Sequence, residues 1–171
     1  MKKISLRFYQ PGDELVLFED YTGDAHSSRF LAREVHQTID ETRCMLLKLS
    51  TEDSFRRYEK SVYIIQESNT GKPLGLITLV SFNESVELHF GICKTCRLQG
   101  IASLAVGCAV SYIFNELKCK SILCFPDRDN EGARRVLEVC GFQCFGEIDQ
   151  FYKAPQISGE LRTVLKFGLQ V

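Results

Sequence analysis

A chain of 171 residues, 44 % apolar and 25 % charged, is long enough for one domain with a sizeable core and has the proportions of a globular protein. A formal charge of −1 excludes a nucleic-acid binder that works through broad electrostatics. No apolar run is long enough to span a bilayer, and Met1 to Tyr9 is too short and too alternating for a signal peptide, so the expectation is a soluble cytoplasmic protein without membrane contact.

In chain order, Ile4 to Tyr9 reads as a strand that Pro11-Gly12-Asp13 breaks, with Asp13 as the cap of a helix over Glu14 to Asp20. From about Asp24 to Leu49 the apolar positions Phe30, Leu31, Val35, Ile39, Met45, Leu46 and Leu49 predict one or two helices, and Glu52 to Tyr58 predicts a short one. Val62 to Gln66 and Pro73 to Phe82 are strands joined by the turn Ser68-Asn69-Thr70-Gly71-Lys72. Asn83-Glu84 turns the chain into a strand over Val86 to Ile92. A helix from Gly100 to about Leu117 follows, then a strand Ser121 to Phe125. The next helix runs from about Asp129 to Cys140, capped by Asp127 or Asp129 and ended by Gly141. Strands over Phe142 to Ile148 and Leu161 to Leu169 flank a polar loop, Gln150 to Gly159. Three meandering strands followed by strand–helix–strand imply a mixed sheet covered by helices, with the crossover making its two strands parallel.

The stretch Cys93 to Phe114 organises the rest. A period-two strand runs into a turn, and after Gly100 the residues Ile101, Leu104, Ala105, Cys108 and Tyr112 fall at helical spacing. A helix start carries unpaired N–H groups and about half a positive charge, and Gly100 lets an anion approach the backbone. Arg97 adds a charge and Gln99 adds amide donors. The dinucleotide fingerprint lacks its three spaced glycines, and the Walker loop lacks Gly-Lys-Ser/Thr. Two readings remain: a phosphate-binding turn, or a plain helix start with a glycine.

Eight cysteines without an export signal are expected to be reduced, several of them (Cys108, Cys124, Cys140) packing as small apolar residues. Cys93-x-x-Cys96 has the spacing of half a zinc site, but no second pair exists and His89 is the nearby histidine, so no metal is expected. Cys96, at the turn, is in a position that favours thiolate.

Four pieces together resemble the GNAT superfamily of acetyl-CoA-dependent N-acetyltransferases. They are Gly71-Lys72-Pro73-Leu74-Gly75, Arg97-Leu98-Gln99-Gly100-Ile101-Ala102, Asn130-Glu131-Gly132-Ala133 and Cys140-Gly141-Phe142. The segments Val86-Glu87-Leu88 and Val136-Leu137-Glu138 look most like the branch that acetylates N-termini of ribosomal proteins and some small amines. The resemblance implies one α/β (α+β) domain over residues 1–171. Its mixed, mainly antiparallel sheet of about seven strands would carry helices on both faces and splay between strands four and five.

The resemblance also implies an acetyl-CoA site in that splay. Backbone amides of Leu98, Gln99, Gly100, Ile101, Ala102 and Ser103 would hold the pyrophosphate beside Arg97. Main chain near Ile92 and Cys93 would pair with the pantetheine arm and supply an oxyanion donor. Asn130 would hydrogen-bond the coenzyme; Arg134 would meet its phosphates or stay a solvated helix charge. Strand alternation puts Glu87, His89 and Cys93 opposite Val86, Leu88, Phe90 and Ile92. Glu87 matches the glutamate that serves as base through a water in many members of the branch, with His89 as a wall residue; a surface strand residue is the alternative for Glu87. Many family members carry Tyr seven positions after the Asn or Ser three after it, where this chain has Leu137 and Ala133. That leaves the general acid open, with Tyr152 and Ser103 as remote candidates. The acceptor is expected to be a protein N-terminus or small amine and the protein a monomer or homodimer; the alternative function is a non-catalytic acyl-CoA-binding sensor.

Overall fold

Strands of five consecutive buried residues are covered on both faces, and Ser61 to Ile65 and Pro73 to Ile77 are two such runs. The computed structural model, which describes residues 3–82 and 84–170, places them inside a seven-stranded sheet, as its second and third strands. In chain order the strands are β1 (Ile4–Arg7), β2 (Lys60–Glu67), β3 (Pro73–Phe82), β4 (Ser85–Ile92), β5 (Ser121–Cys124), β6 (Gln143–Lys153) and β7 (Leu161–Gln170). Their spatial order is β1-β2-β3-β4-β5-β7-β6, antiparallel throughout except for the parallel pair β4–β5. The helices are α1 (Asp13–Leu17), running into a π turn (Phe18–Thr22), α2 (Ile39–Leu49), α3 (Ser54–Tyr58), α4 (Ile101–Asn115) and α5 (Glu131–Val139). Among the described residues no helix is long and apolar enough to cross a membrane. The expected turn at Asn83-Glu84 is described at Glu84 alone, since Asn83 lies outside the described residues.

The crossover helix α4 buries Ile101, Ala105, Val106, Ala109 and Ile113, an apolar stripe against the sheet in which two alanines alternate with branched side chains. Its Tyr112 meets Tyr63 of β2 edge-on, with the two hydroxyls 3.1 Å apart.

Three sequence expectations change. Residues 24–38 are irregular, and the helix begins at Ile39, where the Thr38 hydroxyl accepts the Glu41 N–H. Side chains compete with the helix there: the Asp24 carboxylate takes both the N–H and the hydroxyl of Ser27, and Arg33 donates to the Thr22 and Glu34 carbonyls. Asp13 does not cap α1, because its carboxylate binds Arg7 and the Gln10 N–H; Gly12 precedes the helix without a side-chain cap. The last hairpin is longer than expected, because β6 continues to Lys153 through two bulges. Gly146 and Gln150, both at positive φ, absorb those bulges.

Candidate functional site

β4 and β5 pair at two positions only, Val86 with Ile122 and Glu87 with Leu123. Beyond that row β4 continues to Ile92 against β3, while β5 ends at Cys124. The sheet therefore opens into a V with Glu87 at its apex. A cleft of about 580 Å³ fills the V, walled by the first turns of α4 and α5 and by the segment from Tyr21 to Leu31. The facing strand edges carry main-chain groups that no neighbouring strand takes up, the geometry that accepts an extended ligand as an added strand. The Cys93 N–H donates to the Leu74 carbonyl at 2.9 Å. Alternation then aims the Ile92 N–H at the open edge and turns the Cys93 N–H away from it. Cys93 is buried, and burial pushes its thiol up to about 12.

At the mouth of the cleft, Leu98 has φ +58° and Gly100 φ +72°. Positive φ on either side of Gln99 bends successive N–H groups toward one side, the anion-binding concavity called a nest. For Leu98 this backbone costs about 1–2 kcal/mol, and its fully exposed side chain gains nothing in return by packing. No side chain caps α4 after Gly100, so the N–H groups of its first turn lack intrahelical partners and carry the positive end of the helix dipole. Gly100, Ile101, Ala102 and Ser103 all line the cleft. Gln99 does not line it: its side-chain amide donates to the Thr95 carbonyl at 3.2 Å.

Arg97 lines the cleft, and its guanidinium donates to the Ser27 hydroxyl at 2.5 Å. Ser27 is itself fixed by Asp24. Burial raises the Asp24 carboxyl, but the Ser27 hydrogen bonds and the Lys94 and Arg97 charges more than offset this and hold it below the ordinary carboxylate value. The segment around Asp24 and Ser27 is thus tied to the turn before α4 through one arginine.

On the far wall, α5 starts at Asn130, whose Oδ1 accepts the Ala133 N–H at 3.1 Å. Asn130 is therefore the cap that sequence reasoning assigned to Asp127 or Asp129. Asp127 instead has a fully buried side chain bound by Arg162, the Tyr152 hydroxyl (2.7 Å) and the Asp129 N–H (2.9 Å). Tyr152 is raised by burial and by that hydrogen bond, and it does not line the cleft. Arg134 does not line the cleft either; its Nε lies 3.8 Å from Glu138, one turn along the helix. The neighbouring Arg135 does line it. The Ser and Tyr positions of the resemblance, Ala133 and Leu137, line the cleft with apolar groups.

Glu87 and His89 share one face of β4, with Oε1 and Nε2 3.0 Å apart. His89 is half-exposed and lines the cleft, while Glu87 stands behind it, mostly covered. An imidazole between an open cleft and a carboxylate is an arrangement that passes a proton. Cys124 closes the apex from β5; burial raises its thiol, and the Glu87 charge adds to the shift.

Sequence reasoning missed Phe30 and Leu31 because they read as helical core positions, and Tyr21 because it falls just past the expected helix Glu14 to Asp20. Tyr21 sits against Gly91: a Cβ placed on that glycine would lie 2.1 Å from the tyrosine hydroxyl. Burial raises the Tyr21 phenol. A glycine within a strand of otherwise bulky residues was the available signal for this close approach. Cys96 is buried, and among the described residues no group of three His, Cys, Asp or Glu is placed to hold a metal ion.

Residues 3–143 match the family model described as Acetyltransferase (GNAT) domain. Solved structures share the fold at low identity. An acetyltransferase (GNAT family) from Bacillus anthracis superposes with a TM-score of 0.85 at 18 % identity, over 99 % of this chain and 96 % of that one. A ribosomal-protein-S5-alanine acetyltransferase from Vibrio fischeri gives 0.82 at 15 %, over 99 % and 94 %. A spermidine N-acetyltransferase from Vibrio cholerae, in complex with CoA and spermine, gives 0.79 at 18 %, over 98 % and 95 %. Curated protein sequences yield no match.

Proposed function

Because this chain belongs to the GNAT acetyltransferase family, we propose that it transfers an acetyl group from acetyl-CoA directly to an amine. The observation that carries this reading is the uncapped start of α4 behind a positive-φ turn, opening onto a cleft that the splayed β4 and β5 complete. Amides from Leu98 to Ser103 suit a diphosphate, with Arg97 alongside and Arg135 in the role expected of Arg134. The edge of β4 suits the amides of a pantetheine arm, and the Ile92 N–H suits the developing oxyanion. Asn130, its oxygen used as a cap, offers its amide nitrogen to the coenzyme.

The acceptor nitrogen must be neutral to attack. At pH 7 that costs about 4–5 kcal/mol for a lysine amine and about 1 for an N-terminal amine. Glu87 takes the proton through a water, and His89 connects it to the cleft. The tetrahedral intermediate collapses with loss of the coenzyme thiolate, which needs a proton in turn. Tyr21, kept protonated by burial and lining the cleft, is better placed for this than Tyr152, whose hydroxyl is held by Asp127. We take the whole chain, residues 1–171, as one cytoplasmic domain, a monomer or homodimer.

A second reading has a specific observation behind it. Ala133 and Leu137 bring no proton donor to the wall where the family often has one, which fits a sensor that binds acyl-CoA without turning it over. Calorimetry with acetyl-CoA and thiol release over an amine panel separate the cases. Binding with release supports the transferase; binding without release on any amine supports the sensor; no heat at millimolar acetyl-CoA removes both.

A further inference from the structure

Tyr9, Tyr63 and Tyr152 each spend their hydroxyl on a neighbour: Glu14 at 2.9 Å, Tyr112 at 3.1 Å and Asp127 at 2.7 Å. Tyr21 differs. It is 7 % exposed and lines the cleft, and among the described residues its hydroxyl makes no hydrogen bond. A hydroxyl so enclosed costs free energy unless a ligand takes it up. It lies over Gly91, which precedes Ile92, the donor assigned above to the oxyanion.

The turn that carries this phenol is clamped from one side. Tyr21 and Thr22 end the π turn, so their carbonyls lie at the negative end of its dipole. The buried Ser28 hydroxyl reaches both, at 3.3 and 3.5 Å, and Arg33 donates to the Thr22 carbonyl at 3.2 Å and to Ser28 Oγ at 3.4 Å. Gln156 fixes the Ser28 and Arg33 carbonyls in turn. A neutral amide would cap such carbonyls at a lower desolvation cost than a guanidinium. Among the described residues Arg33 makes no ion pair; burial lowers it, and the Tyr21 phenol is the charge that opposes this. The groups whose charge reaches that phenol are Arg33, Arg97 and the Cys93 thiol. Arg97 stands where the diphosphate would meet it, which leaves Arg33 as the unmatched cation.

Resting on the transferase reading above, we infer that Arg33 is a positioning residue for Tyr21: it clamps the turn carrying the phenol and answers the negative charge left there when the proton is given up. As the carbon–sulfur bond of the tetrahedral intermediate breaks, its electron pair goes to sulfur and sulfur takes the phenol proton. The phenolate then faces Arg33. The proton that left the amine toward Glu87 returns through solvent to restore the phenol.

The test measures thiol release from acetyl-CoA with spermidine, 2-phenylethylamine and an alanine-initiated peptide. The variants are Tyr21→Phe, Arg33→Gln, Arg33→Lys and the pair Tyr21→Phe with Arg33→Gln. Tyr21→Phe is expected to lower kcat about a hundredfold and Arg33→Gln about tenfold, with KM for acetyl-CoA unchanged. Arg33→Lys keeps kcat within about threefold of the wild type, and Arg33→Gln adds no further loss once Tyr21 is Phe. A second readout needs no coenzyme. The chain has no Trp, so near-ultraviolet absorbance reads phenolate directly. The ionisation of Tyr21, taken in each background as the change made by Tyr21→Phe, moves to higher pH in Arg33→Gln and stays in place in Arg33→Lys. An unaltered kcat or ionisation in Arg33→Gln overturns the inference, and so does an equal loss in the Tyr21→Phe background. Arg33→Lys decides the matter where the glutamine variant does not fold: a folded lysine variant with less than about a tenth of the wild-type kcat overturns it too. An unaltered kcat in Tyr21→Phe removes Tyr21 as the acid and Arg33 with it. Thiol release with none of the three amines removes the transferase reading itself, so the failures are told apart.

Discussion

Replacing Asp127 by alanine tests how the cleft wall is held. The carboxylate is fully buried and accepts four hydrogen bonds: two from Arg162, one from the Tyr152 hydroxyl and one from the Asp129 N–H. Tyr152 also reaches the Phe30 carbonyl at 3.2 Å, so the same knot ties β6 and β7 to the segment that walls the cleft. Removing one member of a buried charge pair costs about 3–5 kcal/mol, because the partner is left desolvated and unmatched. Arg162 is 17 % exposed and keeps Asp129, which points to the lower end of that range. For a chain of this length each kcal/mol lowers Tm by about 2–4 °C, so the expected fall is roughly 6–12 °C for about 3 kcal/mol. Thermal and urea unfolding of Asp127→Ala, Arg162→Ala and the double variant measure it. The double variant is expected to lose less than the sum of the singles, by about 1–3 kcal/mol. A single-variant loss under about 1 kcal/mol, or strict additivity, refutes the reasoning.

The same carboxyl gives a pH signature. Burial raises it, and the Arg162, Tyr152 and Asp129 hydrogen bonds overcome that and leave it below the ordinary value. Its stabilisation is therefore complete above the unfolded value of about 3.9 and fades as pH falls through the lower folded value. The stability difference between wild type and Asp127→Asn is expected to shrink below about pH 4, as read by urea titrations; a constant difference contradicts this. Gly100→Ala meets open space but strains φ +72°, so about 1 kcal/mol is lost and acetyl-CoA binds about fivefold more weakly by calorimetry. Gly91→Ala must displace the Tyr21 ring and is expected to cost about 1–3 kcal/mol, which an unchanged Tm would rule out. Glu87→Gln is expected to lower kcat by about a hundredfold while acetyl-CoA binding is kept, and an unaltered kcat removes Glu87 as the base.

Much of the fold was legible because the strands are apolar runs, alternating in β4 and continuous in β2 and β3, and the turns carry their own signals. Gly71 in the hairpin, Gly100 before α4 and Gly141 after α5 all stand at positive φ, as their places in the sequence suggested. The segment 24–38 was not legible as a loop. Its apolar residues have helical spacing, but hydrogen bonds to distant residues fix its shape, such as those from Gln156 to the Ser28 and Arg33 carbonyls. No local pattern encodes contacts over such a separation. The cleft was legible where it is backbone, at Gly100 to Ser103, because a helix start exposes its amides whatever the side chains are. It was less legible where side-chain direction matters: Arg134 and Arg135 differ by about 100° around α5, and sequence alone gave no ground for choosing between them. Leu98 is the clearest residue of this kind, since nothing in its type announces a left-handed backbone.

The central claim is that the turn from Arg97 to Ser103 receives a diphosphate through its main chain. A crystal structure with coenzyme A bound tests this directly. The account predicts diphosphate oxygens about 3 Å from the amide nitrogens between Leu98 and Ser103, with the pantetheine arm along the open edge of β4. A coenzyme bound elsewhere, or that turn filled by side chains with no phosphate contact, contradicts it.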